Sequence, residues 1–330
     1  VPTFVERDNG RAVQPSGYDL VGKRVWVAGH DGMVGRALVG RLRPTQCEVL
    51  TVERRRLDLR RQRETEAWMA ASRPHAVFVV AATVGGIQAN AARPGEFLYD
   101  NLLIAANIID AARRIGVEKL LYVASSAVYP RAAPQPMRED LVLTGPLEPT
   151  HAGYAVAKIA GIALCQAYRR QYGCDFISVL PTNVYGPGGH FDAAAGHVVP
   201  SLIAKAHAAK TAGADHLGVW GSGEARREFL YVDDLADALV FLMRTYSAGE
   251  PLNVGTGEDL AIRDLALAIC DVVGFTGTLT FDAAKPDGPP RKLLDVGRLT
   301  GLGWRAKTPL AEGLARTYRW YLDTQRSEGA

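Results

Sequence analysis

Arg24-Val25-Trp26-Val27-Ala28 is a short apolar run that breaks at Gly29-His30-Asp31-Gly32-Met33-Val34-Gly35 and passes into a helical pattern carried by Ala37, Leu38 and Leu42. A strand, a glycine turn and a helix in that order leave a chain few folds to choose from. The first glycines let the backbone turn tightly and approach a pyrophosphate, the last lets the helix pack on the strand, and the helix N-terminus attracts an anion. A dinucleotide cofactor is therefore expected at Gly29, Gly32, Met33, Val34 and Gly35.

Strand and helix continue to alternate beyond residue 45. A second strand, Glu48 to Val52, ends at Glu53-Arg54-Arg55-Arg56, where such folds read the adenosine ribose; an acid there suits a 2′-hydroxyl and an arginine a 2′-phosphate. Ala76 to Val80 leads into the small-residue loop Ala81-Ala82-Thr83-Val84-Gly85-Gly86-Ile87, and a helix over about 97–115 precedes a fourth strand, Lys119 to Ala124. That strand delivers Ser125-Ser126-Ala127-Val128-Tyr129 at its C-terminal end, the edge where open α/β sheets bind ligands. Next come a helix over about 153–172, a strand from Asp175 to Leu180 and the turn Pro181-Thr182-Asn183-Val184. The expected fold is α/β, a doubly wound parallel sheet over residues 23–190. Residues 1–22 read as a flexible arm, and 191–330 as a smaller α/β substrate domain from which some segments return to the sheet. Its helices are expected near 199–209, 233–245, 262–273 and 310–321, separated by Gly- and Pro-rich loops.

Chemistry enters with Tyr154-Ala155-Val156-Ala157-Lys158. Residues four apart on a helix share a face, so the phenol and the ammonium point into one site. A neighbouring positive charge favours phenolate, and a Ser125 hydroxyl can hold the carbonyl oxygen that Tyr154 protonates. Charge and cysteine content narrow the partners. With 38 basic and 35 acidic residues the net charge is +3, too weak to imply nucleic acid. The four cysteines are scattered without metal-ligand spacing, so no metal and a reducing compartment are expected. No apolar run is long enough to span a bilayer and no secretory segment is legible; the expected location is the cytoplasm, with no membrane partner.

With these motifs in order, the chain resembles the extended short-chain dehydrogenase/reductases. In finer detail Val84-Gly85-Gly86-Ile87, Leu147-Glu148-Pro149-Thr150, Tyr154-Ala155-Val156-Ala157-Lys158-Ile159-Ala160-Gly161, Trp220-Gly221-Ser222-Gly223, Arg227-Glu228-Phe229-Leu230 and Lys285-Pro286-Asp287-Gly288-Pro289-Pro290-Arg291-Lys292-Leu293-Leu294-Asp295 resemble GDP-L-fucose synthases, across about residues 23–325. That resemblance implies inversion at C3 and C5 of GDP-4-keto-6-deoxy-D-mannose followed by reduction at C4 with NADPH. It implies that Ser125 holds the C4 oxygen, Tyr154 donates the proton, Lys158 binds the nicotinamide ribose and His197 is a proton donor in epimerisation. By the same resemblance Arg54, Ser125, Lys158, Pro181, Asn183, Val184 and His197 contact the cofactor, and Lys205, Trp220, Arg227 and Asp287 contact the GDP-sugar. A homodimer through the helices near 97–115 and 151–172 is expected by analogy.

Two features depart from the family. Its cysteine two residues after the serine, the base for C3 and C5, is Ala127 here, and a methyl group cannot take a proton. Either a natural enzyme has lost or relocated epimerisation or the cysteine has been replaced, and a C4-ketoreductase or a non-catalytic sugar-nucleotide binder are the alternatives to the full reaction. Asp31 and Glu53 also place carboxylates near the expected 2′-phosphate, so NADP(H) is expected with NAD(H) as the alternative.

Overall fold

The computed structural model describes residues 17–192, 196–285 and 288–328. Strand and helix alternate from the start: β1 (Arg24–Ala28), α1 (Met33–Leu42), β2 (Glu48–Leu50), α2 (Gln62–Ser72), β3 (Ala76–Val79), α3 (Ile87–Ala92), α4 (Pro94–Arg114), β4 (Lys119–Val123), α5 (Ala152–Tyr172) and β5 (Asp175–Pro181). The second half adds β6 (Asn183–Tyr185), α6 (Val198–Thr211), β7 (His216–Trp220), β8 (Arg226–Tyr231), α7 (Val232–Thr245), β9 (Leu252–Val254), β10 (Asp259–Ala261), α8 (Ile262–Val273), β11 (Thr278–Asp282), β12 (Arg291–Lys292), α9 (Gly297–Gly301) and α10 (Leu310–Glu328). The main sheet has six strands in the order β2-β1-β3-β4-β5-β9, every pair parallel.

Period-2 alternation explains why β1 is apolar from Val25 onward. Trp26 and Ala28 enter the core on one face of the sheet, with Ile104, Ile108 and Ile162 of α4 and α5; Val25 and Val27 enter the core on the other, with Leu38 of α1 and Leu235 and Leu239 of α7. A third core lies wholly among residues after 184, where Val199, Ile203, Leu217, Phe229, Leu265 and Leu314 meet. The sixth strand, β9, and the packing helix α7 both come from beyond residue 190, so the second half of the chain completes the first half's sheet.

Two expectations shift. The end of the expected arm is packed: Leu20 is 1% exposed, the Tyr18 N–H donates to the Arg244 carbonyl at 3.0 Å, and the Tyr18 hydroxyl to Glu118 at 2.8 Å. One buried leucine and two long-range hydrogen bonds suffice to hold a short segment whose sequence has no periodicity. Helix α2 has no forecast at all, because only Thr65 and Met69 are buried along it and no apolar stripe marks it.

Candidate active site at the C-terminal edge of the sheet

The glycine turn has the shape a pyrophosphate needs. Gly29 has φ +96°, and a Cβ there would sit 2.6 Å from the Ala81 backbone; at Gly35 a Cβ would fall 2.1 Å from the Gly29 carbonyl oxygen. Neither position admits a side chain without moving backbone. Gly32 caps α1 with no side chain across the helix N-terminus, and a Cβ there meets nothing closer than 3.6 Å. These residues fit a dinucleotide. Beside them Glu53 pairs with Arg55 and Asp31 with His30, while Arg54 is exposed. The carboxylates counted against a 2′-phosphate therefore have basic neighbours of their own.

Contacts that sequence reasoning did not supply hold the small-residue loop after β3. The Thr83 N–H donates to Asn101 Oδ1 at 3.0 Å, Asn101 Nδ2 returns to the Thr83 carbonyl at 2.9 Å, and the Thr83 hydroxyl donates to Asp100 at 3.0 Å. Arg60 bridges Asp58 and Asp100, and its hydrogen bonds hold the Asp58 carboxyl down at about 2. The signal lay in polar residues on an otherwise buried helix face: Asp100, Asn101 and Asn107 are all buried in α4.

Ser125 leaves β4 with its hydroxyl accepting the Ala127 N–H at 3.1 Å, which caps the single turn of 3₁₀ helix at Ser126–Val128. Helix α5 brings Tyr154 and Lys158 to the same place. The Lys158 Nζ donates to the Val123 carbonyl at 2.9 Å and lies 5.7 Å from the Tyr154 ring centre and 5.0 Å from that of Tyr122. Burial drives Lys158 down to about 7 and pushes Tyr154 up to about 12, against the pull of a hydrogen bond with Ser125. The expected lowering of the phenol by the lysine is absent from this balance. Both groups are buried, and loss of solvation disfavours the charged form of each, which raises the phenol and lowers the amine.

Pro181, Asn183 and Val184 lie where β5 passes into β6, with the Asn183 amide donating to the Glu228 carbonyl at 2.8 Å. His197 caps α6 without a side-chain bond to the helix; burial of its ring, then His190, hold the imidazole below its ordinary value. Lys205, on α6, sits 4.8 Å from the ring centre of Trp220, the last residue of β7. Arg227 lies on β8, opposite Leu260 of β10 and Lys292 of β12. Asp287 lies outside the described residues.

Three ionisable groups in this region had no forecast. Glu228 is fully buried and accepts backbone N–H groups from Thr256, Gly257 and Leu294 at 2.6, 2.8 and 2.9 Å. Burial and Arg227 bring Lys292 down to about 8, and burial and Lys292 bring His151 to about 4; Glu148 opposes both shifts.

A dinucleotide cradle with a serine, a tyrosine and a lysine beside it can reduce or oxidise a carbonyl. Comparison with known proteins narrows the carbonyl. Residues 25–255 match the NAD dependent epimerase/dehydratase family. The GDP-L-fucose synthase of Sinorhizobium fredii is 54% identical over 92% of this chain and 97% of its own length. Among solved structures, a GDP-L-fucose synthetase from Naegleria fowleri bound to NADP superposes with a TM-score of 0.87 at 28% identity, covering 96% of this chain and 98% of that one. A GDP-mannoheptose C4 reductase from Campylobacter jejuni with NADP bound gives 0.82 at 32% identity, covering 91% and 98%.

Proposed function

We propose, since this chain belongs to the GDP-L-fucose synthase family of extended short-chain dehydrogenase/reductases, that it reduces the C4 ketone of a GDP-4-keto-6-deoxyhexose with NADPH. The observation that supports this reading is that Ser125, Tyr154 and Lys158 come together at the C-terminal end of β4, on the same edge of the sheet as the glycine turn after β1. NADPH, when bound, supplies the hydride. Ser125 and Tyr154 hold the ketone oxygen by two hydroxyl hydrogen bonds, and Tyr154 passes its proton to the alkoxide that forms there. An alkoxide is a far stronger base than a phenolate, so a phenol held up at about 12 still gives up its proton at that moment. Lys158 then has a second task, to return the tyrosine's proton, and an amine near 7 can give and take one at neutral pH. The exposed Arg54, together with the paired Glu53, favours NADPH over NADH.

Ala127 favours a second reading, reduction without epimerisation. Its methyl group supplies no base, and its backbone N–H is occupied in orienting Ser125. His197, the family's proton donor, is retained without the thiol that would work with it. The deciding experiment incubates the protein with GDP-4-keto-6-deoxy-mannose in deuterated water, with and without NADPH, and reads the sugar by NMR. Reduction at C4 without deuterium at C3 or C5 is the outcome expected of a chain lacking the thiol, and Ala127→Cys is expected to raise exchange at those carbons. Deuterium at both carbons in the unaltered protein would mean that another base has taken over. Absence of any NADPH oxidation would sink the reductase reading itself.

A homodimer is part of the same proposal. Tyr99 and Leu102 on α4 and Val156 and Tyr172 on α5 are large apolar side chains left exposed on the paired helices, 63%, 39%, 46% and 49% respectively. An apolar surface of that kind on two long helices packed against each other suits a second copy.

A further inference from the structure

Trp220 is exposed for a structural reason. Alternation along β7 sends Leu217 and Val219 into the core and the indole outward, where it is 42% exposed. Two ammonium groups flank it. Lys205 Nζ lies 4.8 Å from the ring centre and Lys285 Nζ 5.6 Å. Lys285 belongs to the Lys285-Pro286-Asp287-Gly288 stretch of the sequence and takes no part in the glycine cradle or the cluster of Ser125, Tyr154 and Lys158.

The placement of Lys285 is built by backbone. Parallel pairing of β7 with β11 sets Trp220 opposite Asp282. The Asp282 carbonyl then accepts two N–H groups, from Gly221 at 2.9 Å and from Lys285 at 3.1 Å. One oxygen thus ties the turn after Trp220 to the turn that carries Lys285. The Asp282 carboxylate is engaged locally, accepting the Ala284 N–H at 3.1 Å, which closes the same turn. The ring attracts each ammonium only weakly. A dianion that reaches both would gain charge-assisted hydrogen bonds from each. Burial already holds Lys205 below the ordinary lysine value, so its ammonium also gains from an anionic neighbour.

We propose that Lys285 is a substrate-binding residue, the second jaw of a two-lysine clamp with Lys205 that closes on the diphosphate of the nucleotide sugar over the Trp220 ring. The clamp rests on the reading of this site as a GDP-sugar site and deepens it. Lys205 comes from α6 and Lys285 from the turn after β11, so the diphosphate bridges two separate elements of the second half of the chain.

The test measures GDP binding by calorimetry for the unaltered protein, Lys285→Ala and Lys285→Arg, at low and high NaCl, with NADP⁺ binding as the control for folding. Lys285→Ala is expected to weaken GDP roughly tenfold at low salt, the size of one charge-assisted contact, and Lys285→Arg to restore most of it. The gap between the unaltered protein and Lys285→Ala is expected to narrow at high salt, because a partly exposed charge contact is screened. Unchanged GDP affinity at low salt overturns the clamp. So does a loss that does not vary with salt, which would mark a packing role for the lysine stem. If the unaltered protein binds NADP⁺ but no GDP, the GDP-sugar reading fails, and the clamp with it.

Discussion

At neutral pH the Tyr154 phenol, held up at about 12, keeps its proton, and a proton donor for ketone reduction must start in that state. Tyr154→Phe removes the donor and little volume. It is expected to lower kcat by about 10²- to 10⁴-fold while GDP and NADPH binding persist; a variant that keeps its turnover would assign the proton to another group. Lys158 makes a pH prediction. Its value of about 7 lies below the ordinary 10.5, so between those values the unfolded chain holds a proton that the folded chain lacks. Stability contributed by this residue therefore rises with pH across that window and is lowest near its bottom. Lys158→Met is expected to be more stable than the unaltered, cofactor-free protein near pH 7, with the difference shrinking toward pH 10. Melting temperatures at the two ends of the range check it, and a difference independent of pH would contradict the burial argument. The spacing of Tyr154 and Lys158 was legible in the sequence, but the direction of the phenol's shift was not, since it depends on how much protein surrounds the pair.

At the scale of elements, the second half of the chain is joined to the sheet by buried polar groups. Glu228, at 0% exposure on β8, binds the turn after β9 and the N–H of Leu294 after β12. Asn253 on β9 does the same with its side chain, donating to the Met137 and Asp295 carbonyls at 2.9 and 3.0 Å and accepting the Tyr129 hydroxyl at 2.6 Å. Glu228→Ala strips three backbone donors of their acceptor, an expected loss of about 3 kcal/mol. Urea unfolding at unchanged slope would report it as a lower midpoint; a loss near zero would mean that these segments are held by other contacts. In the sequence Glu228 reads as a motif acid beside a motif arginine. Only the pairing of β8 with β10 and β12 reveals that it points inward, toward backbone rather than substrate.

For the whole molecule, the Rossmann-like parallel sheet is the arrangement expected from the first turn onward. The exposed apolar side chains of α4 and α5 extend the argument to assembly. Tyr99→Glu combined with Val156→Glu is expected to convert a dimer to a monomer in light scattering, with Ser125, Tyr154 and Lys158 untouched; an unaltered protein that is already monomeric removes the proposal. Among the described residues no helix is long and apolar enough to cross a membrane. The local sequence by itself determined the glycine turn, the helical spacing of Tyr154 and Lys158, the alternation of strand and helix and the alanine at position 127, because each depends on residue type and short-range geometry. Tertiary structure alone decided that β9 closes the sheet from the far half of the chain, that burial pulls Lys158 down to about 7, that Glu228 is a tie, and that Lys285 stands beside Trp220. Those outcomes depend on desolvation and on contacts between residues tens of positions apart, and neither is written in any local pattern.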